Sequence, residues 1–180
     1  MRHTHTPSIP SLALLAAALL FVVAAVIAIA PPAAIAQQRG RAVVCGDPTV
    51  RCRTGQIEFP PYNIPFQIPR RAVIWETESF FAVILKSMRV KDEFDECERF
   101  IPESERLEAQ SLFPRHKVFT SRCMEPGDLY YTNTDPKQRF MAVFAGRTRA
   151  QANAMLEKVK ATGKYPGANL RRMRAGFNGT

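Results

Sequence analysis

The stretch that decides the fold is RFMAVFAGRTRAQANAMLEKVKATG, Arg139 to Gly163. Phe140, Ala142 and Phe144 alternate with Met141 and Val143, the period of a sheet strand. Ala145-Gly146 ends that strand. Thr148 followed by Gln151 has capping-box spacing, so a helix begins there. Ala152, Met155, Leu156 and Val159 recur at i, i+3, i+4 and i+7 and make one apolar stripe. Gly163 supplies the stop.

The preceding residues contain a matching half. From Ala72 to Met88 the pattern is strand-like. Val73, Trp75 and Thr77 alternate with Ile74, Glu76 and Glu78, and Phe80 to Leu85 is apolar without a break. An unbroken run predicts a central strand covered on both faces. Lys91 to Ile101, KDEFDECERFI, concentrates acids at Asp92, Glu93, Asp95, Glu96 and Glu98. It lacks the glycine and terminal glutamate of the known calcium loop. Phe94, Cys97 and Ile101 stand at i, i+3 and i+7, so the acids read as the solvated face of a helix. Pro102 opens a second helical stretch, with Glu103 and Glu105 well placed for its dipole and Leu107, Leu112 and Phe113 as its apolar side. Pro114 closes it.

His116 to Cys123 reads as a second strand, residues 124–138 as a turn-rich connection holding Tyr130 and Tyr131, and Ala168 to Met173 as a last strand. The order strand, helix, strand, strand, helix, strand predicts an α+β fold. Its form is a βαββαβ sandwich, a four-stranded antiparallel sheet with two helices on one face.

Three regions follow. Residues 1–36 read as a secretory signal. Arg2, His3 and His5 precede an apolar run over residues 11–30, and Ala34-Ile35-Ala36 offers small residues for cleavage. The run is long enough to span a bilayer, so an uncleaved anchor is the rival reading. Residues 37–71 form a proline-rich arm. Pro48, Pro60, Pro61, Pro65 and Pro69 forbid a helix, yet Ile57, Phe59, Tyr62, Ile64, Phe66 and Ile68 are too apolar for a free tether. The arm is expected to lie against the domain at residues 72–180. Of the 25 Lys and Arg only Arg2 falls in the leader, which leaves 24 against 16 acids. A basic exported chain meets acidic surfaces such as wall polymers or headgroups. The expected location is the periplasm or outside the cell, with membrane attachment only if the leader is retained.

The 4 cysteines all lie beyond the leader, and export with an even count favours two disulfides. Cys45 and Cys52 flank the Gly46-Asp47-Pro48 turn signal and are expected to pair. The topology brings Cys97, before the first helix, and Cys123, ending the second strand, to one end of the domain. Closing that loop would stabilise by roughly 3–4 kcal/mol in the chain-entropy model. No C-x-x-C pair exists, so zinc is not expected. Nor is a catalytic site. After the leader the chain has a single histidine, His116, and no G-x-S-x-G, H-E-x-x-H or phosphate loop. No cofactor is implied.

From about residue 78 to 175 the chain resembles the bacterial sporulation-related repeat (SPOR) domain. Arg139, the Val143-Phe144-Ala145-Gly146 turn, Ala152, Leu156, Val159 and Gly163 fill that family's strand, turn and alanine-rich helix, and Ser87 stands near the end of its first strand. The resemblance implies a non-catalytic module that binds peptidoglycan glycan strands, often at division sites. The glycan would lie on the helix-free face of the sheet. Carried over by position, Ile84, Lys86, Ser87, Lys137, Arg139 and Leu170 would form that face. Phe119, Tyr130 and Tyr131 would be the aromatics available to stack on sugar rings. Nucleic acid is not an expected partner, because export removes RNA. The alternative is an envelope protein–protein interaction module whose sheet face is covered by the arm or a partner.

Overall fold

The computed structural model describes residues 41–55, 58–67, 74–91, 98–122 and 129–178. Residues 1–36, expected to form the leader, as well as Cys97, Cys123 and most of the acidic segment, lie outside these residues. The strands are β1 (Val43–Val44), β2 (Phe66–Gln67), β3 (Ile74–Glu76), β4 (Phe80–Arg89), β5 (Val118–Thr120), β6 (Leu129–Tyr131), β7 (Gln138–Gly146), β8 (Asn169–Met173) and β9 (Ala175–Asn178). The helices are α1 (Glu103–Leu112) and α2 (Arg149–Ala161). The α+β architecture read from the sequence is present. β4, α1, β5, β7, α2 and β8 build a four-stranded antiparallel sheet of order β5-β7-β4-β8.

The β7–α2 unit folds as its sequence dictates. Gly146 turns the chain at φ 104°, and Thr148 and Gln151 form the reciprocal capping box. Ala152, Met155 and Val159 are buried against the sheet. Helix α1 departs from expectation. Leu107 and Leu112 point to solvent, while Arg106 and Ala109 are buried. The Arg106 guanidinium donates to the Val118 carbonyl at 3.1 Å and to Glu103 at 2.6 Å. A charge so paired and hydrogen-bonded can occupy the inner face of the helix, and the two leucines turn outward.

Strand β4 has two dry faces. Val83 and Leu85 pack with Met141, Val143, Met155 and Val159 under the helices. Phe80, Ala82 and Ile84 pack with Phe119, Phe140 and Phe144 on the other side. That second layer is closed by the arm through Ala42, Val44, Ile64 and Phe66, and by Leu129, Tyr131 and Ala175. These last residues belong to a second sheet, β3-β9-β6, which the sequence reading did not separate. The expected continuous strand 72–88 is broken at Thr77, which is fully buried. Its backbone N–H donates to the Ala175 carbonyl, and its Oγ1 accepts from the Ala175 N–H. The chain therefore changes sheets there.

The arm also satisfies the outer edge of β5. Lys117 N–H donates to the Gly46 carbonyl at 2.7 Å and Thr120 N–H to the Tyr62 carbonyl at 2.9 Å. This caps an edge strand that would otherwise be open to another chain. Arg122 is sandwiched between the Tyr62 ring, 3.6 Å from its centroid, and the Phe100 ring, 4.1 Å away. The Cys45–Cys52 disulfide is present and closes the first arm loop. The arm is thus part of the core. Phe66→Ala is expected to cost about 3–5 kcal/mol in denaturant unfolding, whereas Val50→Ala, at an exposed arm position, should leave the midpoint within error. An unchanged midpoint in Phe66→Ala would refute an integral arm.

Two residues that hold the arm titrate. Lys117 Nζ donates to the Pro61 carbonyl at 2.7 Å, and desolvation, with the Arg106 charge second, pulls its pKa from 10.5 down to about 8. The Tyr131 hydroxyl accepts a long 3.5 Å bond from Ile64 N–H, and burial pushes its pKa up from the usual 10. Between about pH 8 and 10.5 the unfolded chain holds the Lys117 proton more tightly than the folded one, so stability should rise with pH. Above pH 10 the unfolded chain loses the Tyr131 proton first and stability should fall. Urea midpoints should rise from pH 7.5 to 9.5 and gain nothing further by pH 11, where the two effects oppose each other. In Lys117→Met the rise should vanish, and a rise that persists there refutes the assignment.

Candidate functional site

The structure does not assemble the nine expected glycan contacts on one surface. The cause is local. Ile84 pairs with Ala142 but Lys86 pairs with Met141, so Leu85 is an extra residue, a bulge in β4. A one-residue insertion reverses which face each later side chain takes. Lys86 consequently turns to the helix side, where its Nζ meets Glu105 of α1 at 2.6 Å. Arg139, opposite Met88, is on the same side, and it is buried with Nη1 donating to the Pro136 carbonyl at 2.8 Å. Leu170, opposite Val83, also packs in the helix-side core.

The remaining residues divide between core and rim. Phe119, Tyr131 and Ile84 are buried in the second core layer and cannot stack on a sugar. Tyr130 is half-buried. Its ring lies across Gly176 of β9, where an added Cβ would come within 2.0 Å of it. Desolvation, then the Glu76 carboxylate, raise its pKa. Lys137 is exposed in the β6–β7 turn, and its carbonyl accepts from Val90 N–H at 2.9 Å. Ser87, shifted by the bulge opposite Phe140, is exposed on the helix-free side.

What stays open on that side is a groove of about 540 Å³ at one end of the sheet. Ile84 and Phe140 give it an apolar floor, and Ser87, Asn133, Asp135, Gln138, Asn169 and Arg171 are among its polar walls. The register explains the grouping. Asn169 opposes Ile84 and Arg171 opposes Ala82, both on the helix-free face, while Gln138 opens β7 beside them. Asn133 takes φ 59° in the turn after β6, and its Nδ2 donates to the Arg172 carbonyl at 3.1 Å, which ties that turn to β8. The Asp135 Oδ1 accepts from Lys137 N–H at 2.9 Å. Among the described residues, the side chains of Ser87, Gln138 and Arg171 make no hydrogen bond or ion pair. They remain available to a ligand. Alternation could have placed Gln138 and Arg171 on this face; the bulge and the turn could not be read that way.

Among the described residues no three His, Cys, Asp or Glu gather closely enough to hold a metal. No described helix is long and apolar enough to cross a membrane. Compared with protein-family models, curated proteins and solved structures, the chain finds no match.

Proposed function

We propose that this chain is an exported, non-catalytic binding module of the bacterial cell envelope. It holds peptidoglycan glycan strands in the polar groove at the end of the helix-free face. The carrying observation is the triad of Ser87, Gln138 and Arg171, unsatisfied within the protein, above the Ile84–Phe140 floor. A sugar presents a C–H face to an apolar floor and hydroxyls to amide and hydroxyl groups. A guanidinium matches the muramyl carboxylate. The SPOR-like order of elements, the leader and the basic balance support the same reading. The groove departs from the family expectation in scale, since it engages a short length of glycan instead of a strand laid across the whole sheet.

A second reading has its own observation. The arm covers most of the face that the resemblance assigns to glycan. A module with that face closed would act through its exposed surfaces on an envelope protein.

Co-sedimentation with purified sacculi separates the two. The protein is expected to pellet, more strongly after amidase removes stem peptides. The double variant Gln138→Ala/Arg171→Ala should weaken pelleting about tenfold, the loss of roughly 1.4 kcal/mol of hydrogen bonding, without lowering the thermal midpoint. Absence of pelleting under both conditions would remove the glycan reading and leave the protein-partner one.

A further inference from the structure

At the other end of β7 lies a cleft that the glycan reading does not use. It measures about 530 Å³ and shares no lining residue with the polar groove. Arg51, Arg115, His116, Arg147 and Lys158 line it, against a single carboxylate, Asp47. These side chains come from four parts of the chain: the disulfide loop, the α1–β5 turn, the β7–α2 turn and the second half of α2. We propose that this cleft is a second binding site, for a phosphate-bearing ligand.

Arg147 is paired with Glu78, but three other charges of the cleft are poorly compensated within the protein. Among the described residues the side chains of Arg51 and Lys158 make no hydrogen bond or ion pair. Arg115 reaches Asp47 only at 4.0 Å with its side chain 82% exposed. The Asp47 carboxylate is already engaged by the Thr49 N–H at 2.9 Å and the Thr49 hydroxyl at 2.6 Å. Like charges gathered on one concavity repel each other and raise the local potential, which a bound anion relieves.

The walls are held before any ligand arrives. Arg147 is fixed by Glu78 and by donation from Nη2 to the Val44 carbonyl at 2.7 Å. A carbonyl can only accept, so the His116 Nδ1, 3.1 Å from the Phe144 oxygen, carries the proton and the ring is oriented by that bond. The Cys45–Cys52 link closes the loop that carries Asp47 and Arg51. That loop is seated on the Phe144 ring at Gly46, where even a Cβ would come within 2.1 Å of ring carbon. Donors converging from four segments suit a tetrahedral oxyanion, whose several oxygens accept from many directions; a planar carboxylate offers fewer.

The full chain is titrated with inorganic pyrophosphate by calorimetry, and with vesicles of phosphatidylglycerol or of phosphatidylcholine by flotation. Phosphatidylcholine reports any insertion by the apolar leader itself. Arg115→Ser/Lys158→Ser should weaken binding at least tenfold. Lys160→Ser, which removes the same charge from the same helix outside the cleft, should bind as wild type. Pyrophosphate binding with no vesicle preference identifies a soluble or polymeric phosphate. Variant-sensitive preference for phosphatidylglycerol identifies a lipid headgroup. Failure to bind any phosphate probe overturns the site, as does binding that survives the double variant or falls equally with Lys160→Ser. Sacculus pelleting by Arg115→Ser/Lys158→Ser reports on the glycan groove separately, so either reading can fail alone.

Discussion

Strand β4 carries apolar side chains on both faces, and the architecture follows from covering it twice. The first cover is ordinary: Met155 and Val159 of α2 and Ala109 and Phe113 at α1 close over Val83 and Leu85. The second is less usual for a sheet with helices on one side only. Phe80, Ala82 and Ile84 would face water if the domain ended at β8. Each large apolar side chain left wet forfeits about 1.5–3 kcal/mol, and a small domain has only about 5–15 kcal/mol of margin. The arm and the β3-β9-β6 sheet are the answer to that exposure. The buried Thr77, bridging to Ala175, is the joint at which the chain leaves one sheet for the other.

The bulge at Leu85 decides what the end of this sheet can present. Upstream of it, even-numbered residues of β4 face the arm; downstream, Ser87 does and Lys86 does not. A single inserted residue therefore transfers a lysine from a prospective ligand face to a contact with Glu105 on α1, and brings a hydroxyl in its place. The groove has Ser87 in its lining, and not Lys86, because of this exchange. Arg171, across the strand pair, supplies the positive charge that Lys86 and Arg139 were expected to bring.

Hydrophobic periodicity revealed the parts of the fold that obey it. The capping box at Thr148, the α2 stripe, the doubly buried run Phe80 to Leu85 and the packing of Phe59, Ile64 and Phe66 were all legible. The Cys45–Cys52 pairing was legible from its turn spacing. The small sheet was not, because Leu129–Tyr131 and Ala175–Asn178 are too short to show a period and their partners are far away in sequence. Helix α1 misled because Arg106 behaves as a core residue only once Glu103 and the Val118 carbonyl are placed around it. The expected ligand contacts are divided for two reasons: the bulge breaks the two-residue alternation of β4 and turns Lys86 to the helix side, and the arm with the small sheet buries Ile84, Phe119 and Tyr131.

The covered face also limits how any ligand can be held. A glycan strand laid across the sheet would have to displace Val44, Ile64 and Phe66, each nearly or wholly buried. Returning them to water costs on the order of 5–10 kcal/mol, close to the whole stability of a domain this size. Opening the arm is therefore nearly equivalent to unfolding, and no modest polymer affinity can drive it. Binding must be confined to where the cover runs out. Gln138 and Phe144 mark those places on β7, separated by roughly 20 Å at strand rise. One end is polar and floored by Ile84 and Phe140; the other is cationic and walled by the disulfide loop. A ligand that spanned both would have to pass over the arm, so two short, chemically different sites are what this covering permits.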